Sequence, residues 1–201
     1  VIEVARQDGP ALLSSSVAAF AAAPHDLQRA VLHAYLVDIP LPEISGCTPE
    51  AALFLARATL GPVLESLDLE AAVSSPLRGE ERRCPWCWGL PQCKTLREAG
   101  EYKSAVQLVC SRCARAWDYS HRRCGTCGEQ ALNNLAMFEA SEVLPHLRID
   151  GCRTCHTYMV IVDMRKEGKA EPLVDELCAL PLDLWAIEQG FSKAQPNLLG
   201  V

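Results

Sequence analysis

The period of the apolar positions changes along the chain and marks out three stretches. Between residues 11 and 81 apolar residues recur every three or four positions, the spacing of helices with a buried face. Leu27, Ala30, Val31, Ala34 and Leu36 form a mostly one-sided stripe. They predict a helix through Asp38 that Asp26 can cap. Ile39-Pro40-Leu41-Pro42 stops it. Thr48-Pro49-Glu50 then reads as an N-cap followed by proline at the first helical position. Leu53, Ala56, Leu60, Leu64 and Leu67 carry the next helix, which Pro62 is expected to kink or interrupt. This part reads as a packed helical bundle without chemistry of its own.

From Arg82 to Met164 the helical period disappears, and turn residues separate short β-prone runs. Residues 106–109, 116–119, 135–138 and 158–162 are the predicted strands. Beyond Glu171-Pro172 the helical period returns in Leu173, Leu177 and Leu180, then Leu184 and Ile187, with a stop at Gly190. The tail, 191–201, has no period and reads as an extended strap.

Composition adds two constraints. No apolar run reaches the ~18–20 residues needed to cross a bilayer. Residues 11–23 are apolar and end in three alanines, as a signal-peptide cleavage region does. Ser14, Ser15 and Ser16 interrupt them, however, and Glu3 and Asp8 oppose a positive n-region. A cytoplasmic location is expected. The formal charge of −6 is uneven: residues 1–81 carry −7, 82–155 carry +4 and 156–201 carry −3.

The basic middle holds eight of the eleven cysteines, in four Cys-x-x-Cys pairs: Cys84/Cys87, Cys110/Cys113, Cys124/Cys127 and Cys152/Cys155. The intervening gaps are 22, 10 and 24 residues, so two long gaps flank a short one. Two residues between cysteines make a turn that aims both sulfurs at one point. A second such turn, returning from a hairpin, closes a tetrahedron with metal–sulfur bonds of about 2.3 Å. A gap of this length accommodates a strand, a turn and a returning strand, the rubredoxin or zinc-ribbon layout. The rhythm favours tandem sites, pairs one and two then three and four, over an interleaved cross-brace. Two divalent ions, each with four thiolates, would contribute −2 per site. The basic segment is then compensation for the metal centres, not a nucleic-acid surface.

Other chemistries stay open on the pattern alone. Disulfides or a thioredoxin-type redox pair are conceivable, although no βαβ pattern surrounds any pair. Iron–sulfur clusters would need a spacing that Cys84, Cys87 and Cys93 do not supply. Cys47 and Cys178 are expected as buried small hydrophobes, and His121 and His156 as neighbours of the ligands. Trp86, Trp88 and Trp117 are expected to shield the metals. There is no phosphate-binding loop, paired-carboxylate pattern or nucleophile elbow, so no enzymatic activity is expected. The expected fold class is α+β: a helical N-terminal domain (1–81), two tandem rubredoxin-like or zinc-ribbon modules (82–164), and a C-terminal helical segment with its tail (165–201).

The four pairs are followed by Cys152-Arg-Thr-Cys155-His-Thr-Tyr158, Glu171-Pro-Leu-Val-Asp175-Glu176-Leu177 and Leu182-Asp183, then Glu188-Gln-Gly190-Phe191 through Asn197. Over residues 82–201 this resembles the formate dehydrogenase accessory protein family, FdhE. The resemblance implies a non-enzymatic cytoplasmic maturation factor acting on the catalytic subunit of respiratory formate dehydrogenases. It further implies rubredoxin-like iron sites held by the eight paired cysteines, with zinc the alternative ion and rubredoxin-like electron transfer or redox regulation the alternative role. No nucleic-acid partner is implied. The sequence departs from the family at the first knuckle. There Trp88 occupies the position after the second cysteine that members usually give to glycine, and Gly89 comes one later.

Overall fold

The computed structural model describes residues 1–8, 11–72, 82–100, 103–120, 122–139, 142–198 and 200. The chain forms two compact units, Val1–Leu67 and Asp68–Val201. The predicted boundary at residue 81, like His121, lies outside the described residues.

The first unit is helical: α1 (Ile2–Asp8), α2 (Ala11–Ala22), α3 (His25–Val37) and α4 (Pro49–Ser66). Helix α3 starts two residues earlier than expected. Pro24 holds the cap position, and Asp26 lies in the first turn, where its charge complements the helix dipole. Asp38 ends α3 in the left-handed conformation, its N–H bonded to Ala34 O. Helix α4 opens as predicted: Thr48 Oγ1 accepts from Ala51 N at 3.3 Å and Pro49 occupies the first position. Pro62 does not interrupt α4, which continues to Ser66. Gly61 precedes it, and without a Cβ it removes part of the clash that usually bars helix before proline. Val17, Phe20, Val31, Tyr35, Ile44, Leu55 and Ala56 form the core.

The second unit, after the short α5 (Leu69–Ala72), is built on a sheet of β1 (Pro91–Ala99), β2 (Lys103–Cys110), β3 (Ala116–Tyr119), β4 (Leu135–Glu139), β5 (Leu147–Cys152), β6 (Thr157–Asp163) and β7 (Ser192–Lys193). The order is β3-β2-β1-β6-β5-β4, with β7 also on β6. Strands β1–β2–β3 are mutually antiparallel, as are β4–β5–β6. The sheet is therefore two three-stranded modules joined edge to edge, with Cys93–Leu96 of β1 running parallel to Val160–Asp163 of β6. Fusion removes one exposed edge from each module.

All four predicted strands are present; β1, β5 and β7 are additional. Strand β1 escapes a hydrophobicity reading because Gln92, Lys94 and Thr95 are polar yet almost fully buried. Being central in the sheet, Gln92 and Lys94 find partners inside the protein, whereas the Thr95 hydroxyl is buried without one. Gln92 Nε2 donates to Gln195 O at 3.0 Å, and Lys94 Nζ donates to Arg123 O at 3.2 Å and pairs with Asp150.

Helices α6 (Pro172–Cys178) and α7 (Leu180–Glu188) cover the second module, packing Ala179, Leu182 and Ala186 on Leu147, Ile149, Tyr158, Val160 and Val162. Phe138, Trp185 and Phe191 close this core with aromatic centroids 4.6 and 6.1 Å apart. The tail is tied down rather than loose. Lys193, at the end of β7, inserts between the buried carboxylates of Glu176 and Asp183, 2.7 Å from Asp183 Oδ2. Burial and the neighbouring Asp183 carboxylate hold the Tyr158 phenol well above its usual range. Among the described residues no helix is long and apolar enough to cross a membrane.

Candidate metal centres

Each module places its cysteine pairs in equivalent positions. Cys84 and Cys87 precede β1, and Cys110 and Cys113 turn β2 into β3. Cys124 and Cys127 precede β4, and Cys152 and Cys155 turn β5 into β6. The hairpin therefore returns the second knuckle to the first, and the sulfurs gather as Cys84, Cys87, Cys110 and Cys113 (site one) and Cys124, Cys127, Cys152 and Cys155 (site two). The tandem arrangement is the one observed. Cys93 belongs to neither group: it is a buried residue of β1 whose Sγ faces Pro172 O at 3.7 Å. Cys47 is half-buried and Cys178 exposed, so Cys178 is not the buried hydrophobe expected.

The four knuckles share one backbone design. Cys84 N–H donates to Gly89 O, Cys110 N–H to Arg115 O and Cys124 N–H to Glu129 O, each at 2.9 Å and each closing a loop of the same length. Strand pairing sets Cys152 against Thr157 at the same offset. The residue after the second cysteine always has positive φ: Trp88 (62°), Ala114 (56°), Gly128 (80°) and His156 (54°). Glycine is thus present at one knuckle of four, and Trp88 adopts the left-handed conformation itself. Backbone N–H groups also point at sulfur, Arg112 N to Cys110 Sγ and Thr126 N to Cys124 Sγ, both at 3.3 Å. His156 is exposed, and its carbonyl receives Ser192 N–H from the tail strand.

The donor sets fit one tetrahedral ion each. In site one Cys84–Cys113, Cys87–Cys110 and Cys87–Cys113 are 3.6, 3.4 and 3.5 Å apart. In site two Cys124–Cys155 and Cys127–Cys152 are 3.8 and 3.7 Å apart. A tetrahedron with ~2.3 Å metal–sulfur bonds has edges of about 3.8 Å, whereas a disulfide is about 2 Å long. All eleven cysteines are free of disulfides. Four sulfurs this close cannot all be charged without a cation. Hydrogen bonds from its neighbours hold the Cys113 thiolate far down, and Cys113 and the other sulfurs push Cys110 far up. Although Cys127 reaches the surface, partial desolvation and then the neighbouring Cys155 and Cys124 sulfurs raise it to about 12.

Trp117 is buried, whereas Trp88 is 37% exposed with the Arg83 guanidinium 5.7 Å from its ring centroid. Trp88 therefore gives site one only a partial shield. Sequence reasoning missed Glu129, which ties the two knuckles of site two together. Its carboxylate accepts from Thr154 Oγ1 at 2.6 Å, from Asn134 Nδ2 at 3.0 Å and from Ala131 N at 2.8 Å. These bonds, with Thr154 the strongest, lower it to about 2. The available signal was its place directly after Cys127-Gly128.

Fold and sites together define a protein with paired zinc-ribbon-like modules, each closed by four cysteines, and a helical cap on the second module. The family that the comparisons support is FdhE: residues 122–199 match the family model described as "FdhE, C-terminal domain". The "Protein FdhE homolog" of Aquifex aeolicus is 36% identical over 58% of this chain and 41% of its own length. That of Stutzerimonas stutzeri is 30% identical over 61% of this chain and 39% of its own. The matched region thus spans about two fifths of these relatives. The crystal structure of the FdhE protein from Pseudomonas aeruginosa superposes on the whole chain and on 68% of its own chain. Its TM-score is 0.71 at 23% identity, a likeness of fold.

Proposed function

We propose that this chain acts as a non-enzymatic, cytoplasmic maturation factor for a respiratory formate dehydrogenase, binding the catalytic subunit through its paired-module scaffold. One observation carries the reading: two complete thiolate tetrads set in a frame like that of FdhE proteins. The eight paired cysteines would hold two ions, iron being favoured by the resemblance and zinc being accepted by the same donors. With either ion the site locks the knuckles, since thiolate–metal binding is coupled to folding of such modules. Co-purification tests the partner. The tagged, metal-loaded chain should enrich the catalytic subunit from an organism possessing both, and equal recovery on untagged beads overturns the reading.

A second reading, electron transfer or redox regulation, is favoured by the exposure of Cys127, which brings one edge of site two to the solvent. It requires iron, because zinc has a single accessible oxidation state. Visible bands that bleach with dithionite and return in air support it; a colourless protein with two zinc ions removes it.

A further inference from the structure

The C-terminal tail grips the fourth knuckle, Cys152 to His156, on both sides. Before the knuckle, Gly151 has no side chain and the Phe191 ring lies against its backbone: a Cβ there would stand 3.3 Å from Phe191 Cε1. After it, His156 O accepts from Ser192 N at 2.9 Å and from Ser192 Oγ at 3.3 Å, and Tyr158 O accepts from Ala194 N at 2.9 Å. His156 directly follows the ligand Cys155 and is left-handed at φ 54°, a conformation that residues with a Cβ disfavour. The direction of its carbonyl, and with it the anchor of the tail, therefore depends on the turn being held closed. The tail is in turn locked by charge. The Lys193 side chain is 4% exposed, and its ammonium sits between Glu176 and Asp183, which are 1% and 0% exposed. Gln195 O accepts from Gln92 Nε2 at 3.0 Å, and Asn197 Nδ2 donates to Glu176 Oε1 at 3.4 Å. Undocking parts two buried carboxylates from their cation, which makes half-docked positions unfavourable. Residues 191–197 are thus held or freed as a unit.

We infer that residues 191–197 form a latch on site two: docked, they retain its ion, and its ion keeps them docked. The latch rests on the reading that each thiolate tetrad holds an ion. Metal binding fixes the knuckle that carries the His156 carbonyl, so a loaded site favours the docked tail. By linkage the docked tail favours the ion by the same factor. Strand β7 pairs with β6 of the second module, beside Cys152 and Cys155, so the coupling belongs to site two. A protein that displaced the tail would open site two and leave site one closed. The two ions are then retained by different means, one of which can be switched from the end of the sheet.

Two measurements on the zinc-loaded protein test the latch. In the first, a colorimetric chelator follows ion release, its phases assigned through Cys110→Ser, which lacks a site-one ligand. Lys193→Met removes the charge lock, and Ser192→Pro removes the N–H and the hydroxyl that hold His156. Each should release the site-two ion about tenfold faster, a usual size for such couplings, and leave the site-one rate unchanged. Should Lys193→Met fail to fold, Ser192→Pro decides. In the second, trypsin reads the coupling in reverse. Cys152→Ser, which lacks a buried site-two ligand, should be cut after Lys193 well before it is cut after Arg148, whose side chain in β5 is 14% exposed. Cys110→Ser should be cut after Lys193 more slowly than Cys152→Ser. Unchanged site-two release in Ser192→Pro, equal acceleration at both sites, or simultaneous cutting at Lys193 and Arg148 overturns the latch alone. A protein that binds no zinc at site two overturns the metal reading, and the latch with it.

Discussion

Site one and site two use the same knuckle but hold it in opposite ways. In site one, Cys84, Cys110 and Cys113 are buried and Cys87 partly so; in site two, Cys127 is exposed and Cys155 half-buried. The difference is clearest five residues after the first cysteine, where both sites bond a carbonyl back to that cysteine's N–H. Site one has Gly89 there, and a Cβ would lie 2.8 Å from Cys110 Sγ. Site two has Glu129 there, whose side chain reaches Thr154 in the opposite knuckle. Site one is thus secured by close packing and exclusion of water, site two by a polar clamp around an open edge. A shared ligand geometry does not impose a shared means of stabilising it.

The largest expected effect comes from removing a ligand. Cys110→Ser takes a fully buried sulfur from site one, where no water can replace it, and should reduce the metal content from two ions to one. Structural zinc contributes on the order of 10 kcal/mol to small modules, so the first module should unfold with it. Cys127→Ser leaves an edge that water can complete, and should retain both ions while chelator strips the second one faster. Elemental analysis and near-ultraviolet circular dichroism distinguish the two, and equal losses would break the comparison. A smaller effect of the same kind is expected from Gly89→Ala. Its methyl group would press on Cys110 Sγ and on Arg112 Cδ, 3.1 Å away, costing ~1–3 kcal/mol, the usual range for overpacking. Chelator kinetics should show one of the two ions released faster and the other unchanged.

The gathering of the eight paired cysteines into two tandem groups was legible in the sequence because their spacing lets each hairpin return one turn to another. Four strands and the start of α4 were legible for similarly local reasons, β-prone runs and a Thr-Pro cap. What escaped depends on partners distant in sequence. Strand β1 looks polar until Gln92 and Lys94 meet Gln195, Arg123 and Asp150 across the sheet. The same strand absorbs Cys93, which belongs to none of the four pairs. Glu129 drew no reading from the sequence, and only the fold brings Thr154 to it.

The clamp of site two should carry a pH signature that site one lacks. Glu129 has its folded-state value lowered to about 2 by its hydrogen bonds, against about 4.3 when unfolded. Its ionised form therefore stabilises the fold fully above about pH 4.3, and that contribution is lost as the pH falls through the lowered value near 2. Wild type should exceed Glu129→Gln in denaturant midpoint at pH 7, with the gap closing as the pH is taken from about 4.3 towards 2. Arg148 and Arg165 contact Asp163 at the end of β6, and Arg165 holds that carboxyl low as well. Asp163 is present in both proteins, so its titration cancels from the difference. A gap independent of pH would show that Glu129 acts through shape and not through charge.

The smallest effect tests the residue that follows the second cysteine of each knuckle. After the second cysteine the backbone is left-handed at all four knuckles, yet only Gly128 lacks a Cβ. For other residues that conformation costs roughly 1–2 kcal/mol, part of which glycine returns through its greater freedom when unfolded. Ala114→Gly in site one should therefore stabilise by ~0.5–1 kcal/mol, and Gly128→Ala in site two should destabilise by a similar amount. Trp88 is less suitable for the test because its ring also meets Arg83, so removing it changes a contact as well as a dihedral preference. Thermal midpoints of the metal-loaded variants give both signs directly. If both substitutions lower the midpoint, the metal and the loop-closing hydrogen bonds set the knuckle conformation so firmly that the preference of the side chain no longer contributes. The two sites would then differ only in packing and in the Glu129 clamp.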